Sequence, residues 1–223
     1  MLTVLAMLAS PSAEAKKVKV PLDIGIGPAF HMMTGPVAAD QRWHYGVVLS
    51  VEAVLDKKTL KRLRKKIPRE YRSAIKQMDE VRVSPSIFIP DTIIFSPKSD
   101  STSVYGIGFQ PLRINAPLIS DPFALKGFAA LRATYFYLAS DSLPGSTGAV
   151  EMHFLRPAVD VGAELEIPLS DTVLISGAWT SQVHIPQSVG GRVGEIDDLE
   201  NSIWHIGQAS GKIHYRFPYK INL

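Results

Sequence analysis

The sequence predicts an all-β fold: an antiparallel up-and-down transmembrane β-barrel of about eight strands, with one inserted basic amphipathic helix. Three observations lead there. Apolar residues recur at every second position along several long segments, which is the side-chain period of a strand. Stretches such as Leu155 to Ile167 run longer than the roughly five or six residues usual in strands. They suffice for the tilted membrane crossing of about 9–11 residues that such a barrel needs. The polar half of each zigzag mixes acids and bases with Gly, Ala and Ser, a set suited to filling a narrow enclosed lumen.

Composition narrows the alternatives. With 223 residues there is room for one domain with a full core. Charged residues make up only 20%, so a disordered polyelectrolyte is excluded. No apolar run reaches the roughly 20 residues of a spanning helix, which excludes a helical membrane protein. The chain has no cysteine, so disulfide scaffolds, thiolate zinc sites and cysteine nucleophiles drop out. The net charge of +3 conceals an asymmetry. Residues 57–76 hold ten Lys or Arg and one acid, Glu70, leaving 14 bases against 20 acids elsewhere. One segment therefore sets the basic balance, and nucleic-acid binding is not expected.

In chain order, Leu2 to Leu8 are largely apolar and are followed by Ser10-Pro11-Ser12 and Ala13-Glu14-Ala15. This is the pattern of a secretory signal over residues 1–15 cleaved after Ala15, without a basic leader, ahead of a barrel domain over 16–223. Alternation begins after Lys17. Val18, Val20, Leu22, Ile24, Ile26, Pro28, Phe30 and Met32 share one face, with Lys19, Asp23, Gly25 and His31 on the other. Gly35-Pro36 opens a hairpin loop. A second strand sets Trp43, Tyr45, Val47, Leu49 and Val51 against His44, Ser50 and Glu52.

Helical spacing replaces alternation over about 57–79, where Leu60, Leu63, Ile67, Tyr71, Ile75 and Met78 advance by three or four and Pro68 interrupts the stripe. Two arrangements satisfy this pattern: a segment lying on an anionic phospholipid surface, or a solvated helix packed on the end of the barrel. Pro85 and Pro90 make 81–95 an edge or a bulge rather than a full ladder strand. Residues 103–115 and 125–139 alternate less cleanly, whereas 155–167, 173–185 and 203–219 alternate well. Loops at 34–41, 97–102, 141–148 and 188–200 would gather at one end. Both termini and the short turns at 116–123 and 168–171 would gather at the other.

Signal, strands and the closing Tyr215-x-Phe217-x-Tyr219 together resemble the small eight-stranded outer-membrane barrels of Gram-negative bacteria, over residues 18–220. The resemblance implies residence in the cell outer membrane among lipids that include lipopolysaccharide, and reading of the C-terminal strand by the barrel-assembly machinery. It departs from the pattern at its end, because Lys220-Ile221-Asn222-Leu223 follows the final aromatic. The expected function is structural or surface-interacting, with a narrow polar lumen, no catalysis and no cofactor.

Two side-chain groups are weighed against that expectation. His31, His44 and His184 fall on the polar face, where converging imidazoles would suit a metal such as zinc, although no carboxylate accompanies them by spacing. Ser181 and His205 fall on the apolar face of adjacent strands near the loop end. Lipid A deacylases of this architecture carry a lipid-facing Ser and His two residues apart on one strand, a spacing this chain lacks on that face. The alternative functions are accordingly a lipid-modifying barrel enzyme and a soluble periplasmic lipid-binding barrel.

Overall fold

The structure is a computed structural model that describes residues 17–35, 42–65, 69, 72–76, 78–84, 86, 88–96, 102–121, 123–140, 150–186 and 202–222. The expected signal segment lies outside the described residues. Among the described residues nine strands form: β1 (Lys17–Thr34), β2 (Trp43–Asp56), β3 (Glu80–Val83), β4 (Thr92–Phe95), β5 (Thr102–Ile119), β6 (Ala124–Ser140), β7 (Val150–Pro168), β8 (Val173–His184) and β9 (Trp204–Asn222). All neighbours pair antiparallel. β1 pairs with both β2 and β9, so the sheet closes on itself and leaves no open edge.

Nine strands occupy eight positions in the ring. β3 and β4 both lie between β2 and β5, β3 toward the end that holds the start of β1 and β4 toward the loop end. The segment read as an edge or bulge is thus one wall position interrupted between Val83 and Thr92. Its prolines offer no ladder donor. The break is stitched by Ser84 N–H to the Pro111 carbonyl (3.1 Å), Asp91 N–H to the Gly108 carbonyl (2.9 Å) and Leu49 N–H to the Asp91 carbonyl (2.8 Å). The noisier alternation of β5 also has a cause. Its register with β6 shifts between Phe109 and Leu112, so inward positions change from even to odd numbers.

Two turns illustrate how sequence fixes the ends. Gly35 takes φ +117° as β1 leaves the wall, a conformation that glycine adopts without a Cβ clash. Between β7 and β8, the Ser170 hydroxyl accepts from the Thr172 and Val173 N–H groups, tightening the expected turn.

Burial decides which face is enclosed. Asp23, Asp160 and Glu164 are fully buried, whereas Ile26, Val161 and Ile213 are about half exposed or more, at 58%, 49% and 63%. The barrel is therefore inside out relative to a soluble one, and a soluble lipid carrier, which needs an apolar cavity, does not fit it. The outer wall carries a row of rings in successive register: Phe30, Tyr45, Phe95, Tyr105, Tyr137 and His153, across six wall positions. Tyr215, Phe217 and Tyr219 sit outward at the other end of β9. Phe30 and Val20, the partner of Tyr219, are ten residues apart in β1. At about 3.3 Å per residue and a tilt near 40°, that separates the two aromatic levels by about 25 Å, the height of a barrel's lipid band.

Among the described residues the helical insertion shows two short helices, α1 (Lys57–Leu63) and α2 (Arg72–Lys76), one on each side of the Pro68 that interrupts the stripe. Asp56 caps α1 by accepting from Thr59 N–H at 2.8 Å. Leu60 is buried with Val20, Leu55 and Val81, all outward-facing wall residues, and Met78 packs against the same cluster. The helix thus lies on the outer wall at the terminal end.

Candidate functional site

The charged halves of the zigzags meet inside the barrel. Arg82 of β3 is their hub: it contacts Glu80 at 2.8 Å, Glu52 at 3.3 Å and Glu164 at 3.7 Å, and bonds Glu166. Arg113 bonds Glu164, Lys212 approaches the same carboxylate at 3.1 Å, and Lys126 bridges Glu80 and Glu166 at 3.0 and 2.8 Å. Four carboxylates are thus matched by four cations across the centre. The low-dielectric interior tolerates them only as such a paired set. Beside it, His214 links Asp23 (2.7 Å) to Ser176 (2.8 Å), and Arg216 also bonds Asp23 at 2.7 Å.

Toward the loop end, Arg132 reaches Asp160 at 2.6 Å and grips Asp91 with two bonds of 2.9 and 2.6 Å. Asp91 belongs to the wall break, so the interruption delivers a carboxylate to the lumen. A cavity of about 40 Å³ lies among Ser50, Glu52, Asp91, Arg132 and Gln208, which is space for a few waters.

Above this level the lumen changes character, and the expectation of a polar interior is corrected. Met33, Ile94, Val104, Leu138, Met152 and Ile206 are buried there with three rings. Phe136 stands 5.5 Å from Phe154 and 5.4 Å from Trp204, and Arg156 covers Trp204 at 4.4 Å. Arg156 also donates to the Ile185 carbonyl at 2.9 Å and the Ser202 carbonyl at 2.5 Å, joining the rim on both sides of the β8–β9 connection. Among the described residues an apolar cluster therefore spans the lumen near the loop end, and the salt-bridged network, with its small cavity, occupies the rest.

All three histidines weighed as metal ligands enter the lumen, as their parity predicts. His31 and His44 are direct register partners, but His184 belongs to β8, stacks edge-on to Phe136 at 5.4 Å and does not join them. Among the described residues no three His, Asp or Glu side chains gather into a metal site. The reason is register: through Gln208 of β9, His31 lies level with Thr180 of β8, four residues along that strand from His184.

Ser181 and His205 are brought together. Ser181 Oγ and His205 Nε2 lie 2.7 Å apart on the outward face of β8 and β9, both partly exposed. Thr34 donates to the His205 carbonyl at 3.2 Å. Among the described residues no carboxylate bonds the His205 ring. Glu151 and His153, near the mouth on a different strand from Ser181, form a second outward polar group with two tyrosines that sequence reasoning did not name: Tyr135 lies 2.6 Å from His153, and Tyr137 donates to Glu151 at 3.1 Å. The lumen members Arg82, Arg113 and Lys126 were likewise missed, although Glu80-Val81-Arg82-Val83 and Leu112-Arg113-Ile114-Asn115 carry the same zigzag as the strands that were read.

A closed antiparallel barrel with an apolar outer band between two aromatic levels and a charged interior is the architecture of outer-membrane proteins. The chain folds as a transmembrane β-barrel of the outer-membrane type. No family model and no curated protein matches it. Among solved structures it is similar to Neisserial surface protein A, at 9% identity and TM-score 0.45, covering 88% of this chain and 97% of that one. It is also similar to Ail, the attachment invasion locus protein of Yersinia pestis, at 11% identity and TM-score 0.42, covering 90% and 100%. A major outer membrane protein from Thermus thermophilus shows 10% identity and TM-score 0.43, covering 87% and 99%. These are similarities of architecture.

Proposed function

We propose that the protein serves as a closed, non-catalytic envelope barrel whose role is structural or surface-interacting, exercised through the connections at its loop end. The observation that carries this reading is the filled lumen. Among the described residues the Arg82 network and the Phe136–Phe154–Trp204 cluster stand in series across the lumen, which supports a closed barrel over a pore. The test is reconstitution of the purified barrel in planar bilayers and in liposome-swelling assays. No conductance steps and no solute entry are expected. Stable channels would replace this reading with a pore.

A second reading has one specific observation in its favour, the Ser181–His205 contact on the lipid-facing wall. A serine hydroxyl beside an imidazole is the core of an acyl-transfer centre. Ser181 would attack an ester carbonyl and pass its proton to His205, which returns it to the leaving alcohol; water then frees the acyl chain. The pair lacks a bonded carboxylate among the described residues, which is why this reading ranks second. Fatty-acid release from purified envelopes that disappears in Ser181→Ala would establish it. No release from the unsubstituted protein, or unchanged release from Ser181→Ala, removes it.

A further inference from the structure

Helix α1 and the residues after it carry the strongest charge patch of the chain, and the closed-barrel reading makes no use of it. Its placement restricts what it meets. Leu60 lies against Val20, Leu55 and Val81 on the outer wall, so the opposite side of α1 points away from the barrel. Lys58, Lys61, Arg62, Lys65, Arg69 and Lys76 are exposed. Val20 pairs with Tyr219, so the helix sits at the level of the terminal-end aromatics, where hydrocarbon gives way to headgroups. The flanking acids are already engaged: Asp56 caps the helix and Asp79 binds Lys57 at 2.6 Å.

A patch needed merely for solubility would not have to lie at this depth, nor hold ten bases against one acid over residues 57–76. We infer that α1, with the exposed Lys65, Arg69 and Lys76 that follow it, forms a binding surface for anionic glycerophospholipid in the leaflet at the terminal end of the barrel. The basic side chains engage the headgroup phosphodiesters while Leu60 fixes the helix to the wall. Arginine suits such a site because its guanidinium fork matches phosphate oxygens, and lysine adds compact positive charge.

The test uses the full barrel purified in neutral dodecylmaltoside micelles. It is titrated with dioctanoylphosphatidylglycerol or dioctanoylphosphatidylcholine, and bound lipid is counted by native mass spectrometry. Each basic side chain at an anionic surface contributes about fivefold to binding before screening. The anionic lipid should therefore bind at least about tenfold more tightly than the zwitterionic one. That preference should fall toward unity in Lys58→Gln/Lys61→Gln/Arg62→Gln/Lys65→Gln, and in the unsubstituted barrel at about 1 M NaCl. Equal affinities for the two lipids overturn the inference, as does a variant that keeps the preference. Displacement of the lipid by polyglutamate at matched charge also overturns it, in favour of an acidic polypeptide partner. If the fourfold variant does not fold into a barrel that resists unheated detergent, Lys58→Gln/Lys61→Gln and the salt series decide by the same criteria. None of these readouts depends on whether the lumen conducts.

Discussion

Replacing Arg82 by Met tests whether the lumen network holds the barrel together. Arg82 is fully buried and serves four carboxylates, Glu52, Glu80, Glu164 and Glu166. In its absence Glu164 keeps Arg113 and Lys212, and Glu80 and Glu166 share Lys126. Glu52 keeps no ion pair among the described residues. The central set then carries one uncompensated negative charge in a low-dielectric interior. Removal of one partner from a buried ion pair costs about 3–5 kcal/mol, because the stranded charge is left desolvated. Methionine fills much of the space, so cavity formation adds little. The measurement is guanidinium unfolding in phosphatidylcholine vesicles, followed by fluorescence of Trp43, Trp179 and Trp204 and by the folded band on unheated gels. Adding Glu52→Gln to Arg82→Met should recover at least about half of the loss, since it removes the stranded charge. A loss below about 1 kcal/mol for Arg82→Met, or no recovery in the double variant, would refute the claim that charge pairing organises the lumen.

Other substitutions probe the wall, the seam, the topology and the plug. Val161→Lys places a charge on the lipid-facing band near its middle and should destabilise the barrel in vesicles by about 2–4 kcal/mol. Glu151→Lys, at the rim, should change stability by less than about 1 kcal/mol in the same assay. Gly27→Ala would set a Cβ 1.7 Å from the Gly211 carbonyl oxygen across the β1–β9 seam. An overpacking loss of about 1–3 kcal/mol is expected, visible as a lower unfolding midpoint. Because the chain has no cysteine, Arg42→Cys at the loop end and Asp171→Cys at the terminal end, both exposed, report topology directly. An impermeant maleimide should label the first and not the second on intact cells, and the reverse pattern would invert the orientation. Phe154→Ala removes a ring from the plug and should lower stability by about 3–5 kcal/mol without opening a steady conductance, since the Arg82 network still blocks the path.

Much of the barrel was legible because one physical rule, the two-residue strand period, governs every wall residue. It placed Leu22, Val47, Val161 and Ile175 on the outer face and Asp23, Asp160 and Glu164 within, and burial agrees. It also placed Ser181 and His205 on neighbouring strands of the same face, although their 2.7 Å approach depends on the diagonal register, with Ser181 opposite Gly207 and Val183 opposite His205. Register is a property of two strands together, and a single strand's pattern does not contain it. The same limit explains the histidines. Parity sent His31, His44 and His184 inward, but their separation along the barrel is set by the registers of β1 with β9 and of β9 with β8.

Two features escaped the rule because they break it. The register shift between Phe109 and Leu112 reverses parity within β5, so Val104 and Arg113 both face the lumen despite their even and odd numbers. The break between β3 and β4 then serves the interior as well as the wall. Arg132 projects from β6 toward Asp160, and a continuous strand in that wall position would offer it β-ladder backbone rather than the Asp91 carboxylate. Pro90, directly before Asp91, denies the ladder a donor there. Asp91 can thus leave regular pairing while its N–H and carbonyl stay bonded to Gly108 and Leu49. A locally weaker wall in this way completes a stronger lumen. Mending the strand with Pro90→Val while replacing Asp91 by Asn leaves Arg132 paired with Asp160, so guanidinium unfolding in vesicles should show a loss of about 1.5–3 kcal/mol, the worth of a charge-assisted bond and less than that of Arg82→Met.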